Sequence, residues 1–173
     1  GFIDVHAHSA LAILSDPRHE PKVHQGVTTE LIGIDGNSYA PFKSEGEYRR
    51  FFRYNSGLDG DPDVEVRWSS VSDYLAMYDR KVAVNIAYIV GNSPIRIGAM
   101  GWEDKPATGR DLENMKSLLR ESMEEGAFGL SSCLVYGHEA PATAAELTAM
   151  SRVLAAKGTI YKTHLRSEGA NLL

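Results

Sequence analysis

Cysteine is nearly missing from this chain of 173 residues, in which Cys133 is the only one. A single cysteine cannot form an intrachain disulfide or a Cys-x-x-Cys metal site. We interpret Cys133 as a small buried hydrophobic residue rather than a nucleophile. The cysteine content therefore does not distinguish a reducing from an oxidising compartment, and we take the cytoplasm as the default location.

Positive charge and long apolar runs are also scarce. Lys and Arg number 18 against 23 Asp and Glu, which gives a formal net charge of −5. This balance argues against a protein that binds nucleic-acid backbones. The longest apolar stretch, residues 82–90, has about half the length of a membrane-spanning helix. We therefore expect that neither nucleic acid nor a membrane is a partner. The sequence also contains no P-loop, no GxGxxG dinucleotide-binding motif and no GxSxG serine-hydrolase motif.

The ends of the sequence indicate an excerpt of a longer protein. The chain begins with Gly1 and not with Met, and its first residues already have a strand pattern. Residues 171–173 have the pattern of a helix that is just beginning. We expect both ends to fall inside structural elements.

Strand and helix patterns alternate along the chain. Apolar periodicity predicts strands over residues 2–8, 28–34, 82–90, 127–131 and 159–166. Helical patterns lie between them, one of them opened by a Thr143–Glu146 capping box and closed by Gly158. A loop-rich insertion is expected over residues 41–68, with a short helix around residues 45–54, and a further helix over residues 70–80.

This order predicts an α/β fold with a parallel sheet and right-handed crossovers. Two architectures fit, an open doubly wound sheet and a (β/α)8 barrel. A complete barrel takes about 250 residues, so this chain would hold about the first five β/α units. Residues 1–173 would then form the N-terminal part of one barrel domain.

The sharpest chemical signal is the His6-Ala7-His8 segment at the end of the first strand. Residues i and i+2 of a strand share a face, so the two imidazoles can converge on one metal ion at about 2.0–2.1 Å each. Ile3 and Val5 form an apolar opposite face, and we therefore expect this strand to be buried. The alternative interpretation is a pair of hydrogen-bonded core histidines.

Two further candidate ligands follow other strands. His164 lies near the end of the fifth strand, and Asp35 follows the second strand between two glycines. A carboxylate is a hard oxygen donor for a metal ion. The alternatives are a structural histidine and an ordinary Asp-Gly turn. His19 and His24 lie near prolines in a helical connection, and we assign them to the surface.

Other polar residues could support such a site. Asp4 shares the strand face of the two histidines and could orient an imidazole. Arg166 could neutralise a substrate carboxylate, although pairing with Glu168 or another acid fits equally well. Tyr136 and His138 follow the fourth strand and could line the same pocket, or be a packed tyrosine and a solvated histidine.

Besides residues 1–8, four segments follow one another in the order of a known family. They are QGVTT at residues 25–29, GIDG at 33–36 followed by Ala40-Pro41, GAFGLS at 126–131 and YKTHLRSEG at 161–169. On these segments the sequence resembles the amidohydrolase superfamily, and more closely its D-aminoacylase (N-acyl-D-amino-acid deacylase) branch.

The resemblance implies a zinc-dependent hydrolase on a (β/α)8 barrel, in which metal-activated water cleaves the amide bond of N-acyl amino acids of D configuration. By matching position, His6 and His8 bind one metal position and His164 binds the other, with one or two Zn²⁺ ions. Asp35 stands where the best-known members have a cysteine that ligates metal. Tyr136 matches a tyrosine of the substrate-pocket region.

The resemblance also leaves parts of the function outside the chain. The general-base aspartate of the family is expected beyond residue 173, and we expect the isolated 173-residue piece to be inactive and poorly soluble. The expected partner is a small N-acyl amino acid, and assembly into a homo-oligomer stays open. Two alternatives remain, a non-catalytic metal- or ligand-binding module on the same fold and an amidohydrolase that acts on a cyclic amide.

Overall fold

The computed structural model describes residues 1–170 and residue 172. Within these residues, strands and helices follow one another in the order β1 (Phe2–Asp4), α1 (Ala10–Ser15), α2 (Glu20–Val23), β2 (Val27–Ile32), α3 (Glu45–Asp59), α4 (Val71–Ala76), β3 (Asn85–Tyr88), β4 (Val90–Gly91), α5 (Asn92–Met100), α6 (Arg110–Glu124), β5 (Gly129–Cys133), α7 (Ala144–Lys157) and β6 (Ile160–His164). The helix start predicted at residues 171–173 includes residues 171 and 173, which lie outside this range.

All strand pairs are parallel, as the alternating pattern predicts. Strands β1, β2 and β3 form one three-stranded sheet, and β4, β5 and β6 form another. Only Ile89 separates β3 from β4, and the backbone N–H of Phe128 donates to the carbonyl oxygen of Tyr88 at 2.6 Å. The predicted strands are thus present in the predicted order, with the third strand interrupted once. The α/β class with a parallel sheet is confirmed.

The two faces of the strands are covered differently. A large apolar core packs between one face and the helices, where α5 lies against α6 and α6 against α7. Within the described residues, the other face carries a small apolar cluster of Leu31, Ile34 and Ile89. The large core includes Ile32, Phe51, Tyr74, Tyr88, Ile95, Met115, Leu119 and Leu130. One face of the sheet therefore keeps space for polar side chains.

The helix boundaries follow local signals where such signals exist. The Thr143 side chain accepts from the backbone N–H of Glu146, and Gly158 ends α7 in the left-handed conformation (φ 66°), as predicted. Helix α3 is longer than the short helix expected in the insertion, because Ser44 caps it and it continues to Asp59. None of the helices in the described range is long and apolar enough to cross a membrane.

The first strand differs from the sequence prediction. It covers only Phe2–Asp4 instead of residues 2–8, and Ile3 and Val5 are 65% and 60% exposed rather than buried. Strand β1 lies at the edge of its sheet and pairs only with β2 among the described strands. Among the described helices none packs closely against β1, so its apolar side chains stay uncovered.

Candidate metal centre

Asp35 lies on a short turn at the carboxyl end of β2. Its backbone is left-handed (φ 51°), and so are those of Gly33 (φ 82°) and Gly36 (φ 72°). Ser131 of β5 fixes this turn, because its Oγ accepts from the Gly36 N–H at 3.0 Å and donates to the Gly33 carbonyl oxygen at 2.5 Å. Asp35 is 8% exposed. The carboxylate is therefore held on a rigid, tightly bonded support.

His6 and His8 follow β1 and direct their side chains to this carboxylate. The Nε2 atoms of His6 and His8 lie 3.0 and 3.3 Å from Oδ2 of Asp35. One ligand atom from each of the three residues lies within 4.8 Å of the others. Tetrahedral ligands at about 2.0–2.1 Å from a shared ion are roughly 3.3–3.4 Å apart. The separations and the donor set of two nitrogens and one oxygen thus fit zinc.

The far side of the His8 ring faces a residue that the sequence analysis did not identify. Oδ1 of Asp59, the last residue of α3, lies 3.5 Å from Nδ1 of His8, and the hydroxyl of Tyr39 donates to Oδ2 of Asp59. The contact with Asp59 raises the pKa of His8 against the opposing effect of burial, and the charge of Asp35 adds to it. No spacing in the sequence links Asp59 to His8, so only the fold reveals this pair.

His6 has a second neighbour on its other side. Nζ of Lys162, on β6, lies 3.1 Å from Nδ1 of His6 and donates to the carbonyl oxygen of Val5 at 2.6 Å. A lysine ammonium is only a donor, so Nδ1 of His6 accepts in this contact. The proton of a neutral His6 ring is then on Nε2, toward Asp35.

His164 lies at the end of β6 but does not join the three residues around Asp35. Its Nε2 is 3.6 Å from Oε1 of Glu168, and the metal-ligand cluster found in the described range contains only His6, His8 and Asp35. His164 is paired in register with Cys133, so it lies at the same carboxyl edge of the strands. Its role in a second metal position stays a prediction.

Asp4 has other partners than the expected imidazole. Its Oδ1 accepts from the backbone N–H of His6 at 3.0 Å, and its Oδ2 pairs with Lys22 of α2. These contacts, the Lys22 hydrogen bond first, lower the pKa of Asp4. In the part of the chain that the structure describes, the expected contact with an imidazole is absent because the chain leaves the strand after Asp4.

His19 also differs from the surface assignment, since its Nε2 lies 2.9 Å from the buried Glu30 carboxylate.

Arg166 is engaged by the backbone and not by an acid. Its Nη1 and Nη2 donate to the carbonyl oxygens of Ala140 and Ala142 at 2.6 and 2.7 Å. The alternative of pairing with Glu168 or another acid differs from the described contacts, in which Glu168 faces His164. Arg166 therefore ties β6 to the loop after β5, which carries Tyr136. A role of Arg166 at a substrate carboxylate stays a prediction.

Tyr136 and His138 stack on each other in that loop, with ring centroids 6.4 Å apart and an interplanar angle of 15°. Burial raises the pKa of Tyr136, and the neighbouring Cys133, Asp35 and Asp59 add to the effect. Tyr136 follows β5, so it lies beyond the carboxyl edge of the strands, where the candidate metal centre also lies. His138 is buried rather than solvated, and burial with the nearby Arg96 charge lowers its pKa to about 4.

A buried carboxyl group beneath the Asp35 turn was also missed. Glu139 is 0% exposed, accepts from the Cys133 N–H at 3.0 Å and from the Ser93 hydroxyl, and packs against Gly36. Burial raises the pKa of Glu139 to about 8, although these hydrogen bonds oppose the shift. The sequence offers no signal for Glu139, because it lies in a loop without periodicity.

Comparisons with known proteins show which proteins this chain is similar to. No protein-family model matches the chain. An N-acyl-D-aspartate deacylase of Alcaligenes xylosoxydans xylosoxydans is 34% identical over 175 residues, which cover 100% of this chain and 34% of the relative. A D-aminoacylase solved in a study of its binuclear metal centre superimposes with a TM-score of 0.83 at 32% identity, over 98% of this chain and 35% of its own. The solved N-acyl-D-glutamate deacylase from Bordetella bronchiseptica, in complex with zinc and a phosphonate inhibitor, gives 0.84 and 30% identity, over 99% and 35%.

The relatives of this chain are therefore amidohydrolases. Within that class they are D-aminoacylases and N-acyl-D-aspartate and N-acyl-D-glutamate deacylases, and the resemblance inferred from the sequence is confirmed. The chain spans about a third of the length of the curated relatives it matches.

Proposed function

We propose that the protein containing this chain is a zinc-dependent amidohydrolase that cleaves N-acyl-D-amino acids into a carboxylate and a free amino acid. The observation that carries the proposal is the convergence of His6, His8 and Asp35 at the carboxyl edge of a parallel sheet. That edge holds the active sites of parallel α/β folds. The named deacylase relatives support the choice of substrate class.

We further propose that the chain forms about five β/α units of a (β/α)8 barrel. The hydrogen bond from Lys162 to the Val5 carbonyl oxygen supports a strongly curved arrangement, because it joins β6 to the residue directly after β1, and these are the two outermost strands. A flat sheet of five strands would separate its edge strands by roughly 19 Å. A lysine side chain is far too short to span such a distance.

The roles of the residues follow from their donor atoms. His6, His8 and Asp35 would hold a zinc ion, with His164 at a second metal position. A bound zinc ion supplies water activated at neutral pH and polarises the carbonyl group of the scissile amide. In the net reaction the water oxygen would bond to the carbonyl carbon, the C–N bond would break, and a proton of that water would go to the leaving amine.

Tyr136 is the best-placed group of this chain to contact the substrate. It lies in the loop after β5, and a tyrosine hydroxyl is protonated near neutral pH because its ordinary pKa is about 10. A protonated hydroxyl beside the metal centre can donate to the oxygen that gains negative charge during attack. Arg166 acts differently, because it holds the loop that carries Tyr136 through the carbonyl oxygens of Ala140 and Ala142.

The test uses the natural full-length protein loaded with zinc. We expect release of free amino acid from N-acetyl-D-methionine, N-acetyl-D-aspartate or N-acetyl-D-glutamate, and slower or no release from the L forms. The double variant His6→Ala/His8→Ala should lose both zinc and activity. The exposed His24 is the matched control, and His24→Ala should retain both.

Two results would contradict the proposal. Full zinc occupancy without hydrolysis of any N-acyl-amino acid would favour the alternative of a metal-binding module. Turnover that survives the loss of both histidines would show that the chemistry occurs elsewhere.

A further inference from the structure

Asp59 occupies an unfavourable position for a carboxylate. It is the last residue of α3, where the helix macrodipole disfavours negative charge. Its side chain is only 5% exposed. A buried carboxylate is costly unless hydrogen bonds or a cation compensate for the lost water. The contacts of Asp59 should therefore explain why it is there.

One oxygen of Asp59 is held and the other is not. The hydroxyl of Tyr39 donates to Oδ2. The Tyr39 ring is itself fixed, because its centroid lies 5.8 Å from that of Phe51 and 4.8 Å from that of Phe52. Oδ1 is buried and forms no hydrogen bond with the part of the chain that the structure describes. This oxygen lies 3.5 Å from Nδ1 of His8.

His8 thus lies between two carboxylates, with Nε2 on the Asp35 side and Nδ1 on the Asp59 side. A neutral imidazole has one N–H, and a ring that binds a metal ion through Nε2 must carry its proton on Nδ1. The unpartnered Oδ1 of Asp59 lies where that N–H would point. Asp4, the acid that the sequence suggested for this task, is bound to Lys22 instead.

We propose that Asp59, held in place by Tyr39, is a positioning residue that accepts the Nδ1–H of His8 and fixes the ring for metal binding through Nε2. This inference rests on the proposed metal centre, and it assigns a function to the insertion that contains α3. A carboxylate in this position fixes the tautomer and the orientation of the ring and increases its basicity. It does not touch the substrate or the reacting atoms.

The test measures metal binding and not activity. Zn²⁺ affinity is measured by competition with a chromophoric chelator in the natural full-length protein, and the visible absorption bands of bound Co²⁺ report ligand geometry. We expect Asp59→Asn to weaken Zn²⁺ binding by about 10–100-fold and to change the Co²⁺ spectrum. Tyr39→Phe keeps the Asp59 carboxylate but removes the hydroxyl that donates to it, so it should also weaken Zn²⁺ binding and change the Co²⁺ spectrum, by less than Asp59→Asn does.

Asp63→Asn is the matched control, because Asp63 is an exposed acid of the same insertion. It should bind Zn²⁺ like the parent protein. Unfolding of the metal-free proteins identifies a purely structural effect. If Asp59→Asn lowers the unfolding midpoint but leaves Zn²⁺ affinity within twofold and the Co²⁺ spectrum unchanged, the inference is wrong.

The outcome can be separated from that of the proposed function. Loss of metal affinity in Asp59→Asn supports the positioning role even if the parent protein hydrolyses no N-acyl-amino acid. A parent protein that binds neither Zn²⁺ nor Co²⁺ overturns both proposals.

Discussion

The ammonium group of Lys162 on β6 lies 3.1 Å from Nδ1 of His6, which follows β1, and β1 and β6 are the outermost strands of the sheet order. A cation is thus in contact with one of the candidate metal-binding imidazoles. When Nε2 of His6 binds a metal ion, Nδ1 carries the ring proton and can no longer accept from Lys162. Lys162 and the metal ion therefore oppose each other at His6.

We accordingly predict that Lys162→Met increases Zn²⁺ affinity. Two charges a few ångströms apart near a protein surface repel by about 1–4 kcal/mol, so an increase of at least about threefold is expected. Chelator competition on the full-length protein measures it. Lys157→Met, which changes an exposed lysine of α7, is the control. Weaker zinc binding in Lys162→Met would contradict this interpretation.

Gly36→Ala should destabilise the protein and disturb the Asp35 turn. A Cβ at this position would overlap Oε1 of Glu139 and lie 2.9 Å from the backbone nitrogen of Cys133, and φ is +72°. We expect a loss of about 2–4 kcal/mol in the free energy of unfolding, together with weaker zinc binding. Gly57→Ala in α3, where a Cβ meets nothing within 4 Å, should stabilise the protein by about 0.5–1 kcal/mol. Urea unfolding of both variants checks the contrast, and equal stabilities would contradict it.

Glu139 should make stability depend on pH. Its pKa is about 8 in the folded chain against an ordinary value of 4.5, so the folded state binds a proton that the unfolded state releases. Its contribution is complete below pH 4.5 and is lost as the pH rises to about 8, with a total on the order of a few kcal/mol.

Glu139→Gln is neutral at every pH and should flatten this dependence. Urea unfolding at pH 5 and pH 8 measures it, with the exposed Glu121→Gln as control. If the parent and Glu139→Gln lose equal stability between the two pH values, Glu139 is not the responsible group.

The buried ion pair of Arg96 and Glu146 supports the loop that carries Tyr136. Nη1 of Arg96 lies 2.5 and 2.6 Å from the two carboxylate oxygens, and Nε donates to the carbonyl oxygen of His138 at 2.7 Å. Arg96→Met leaves Glu146 buried without its cation and should cost about 3–5 kcal/mol of unfolding free energy. The double variant Arg96→Met/Glu146→Met should lose less unfolding free energy than Arg96→Met alone. A double variant as unstable as Arg96→Met would contradict the explanation.

Local sequence signals predicted the strands, their parallel order and the limits of α7. They failed for α5 (Asn92–Met100), for which the sequence analysis predicted no helix. Eight of its nine residues, Arg96 among them, are buried, so no polar face gives a periodic pattern. The single Pro94 near its start gave no decisive signal.

The candidate site was predictable only in part. The spacing of His6 and His8 in the sequence indicated a shared target, although the strand predicted to carry them ends at Asp4. Asp59 approaches from an insertion some 50 residues away, and Lys162 comes from the far edge of the sheet. Contacts at such sequence separations depend on how the sheet curves and where α3 packs, which periodicity does not report.

The central claim is that His6, His8 and Asp35 share one metal ion. A crystal structure of the zinc-loaded full-length protein, with anomalous data at the zinc edge, tests it most directly. We predict an anomalous peak about 2.0–2.2 Å from Nε2 of His6, Nε2 of His8 and a carboxylate oxygen of Asp35. A zinc ion bound elsewhere, with both histidines unligated, would contradict the account.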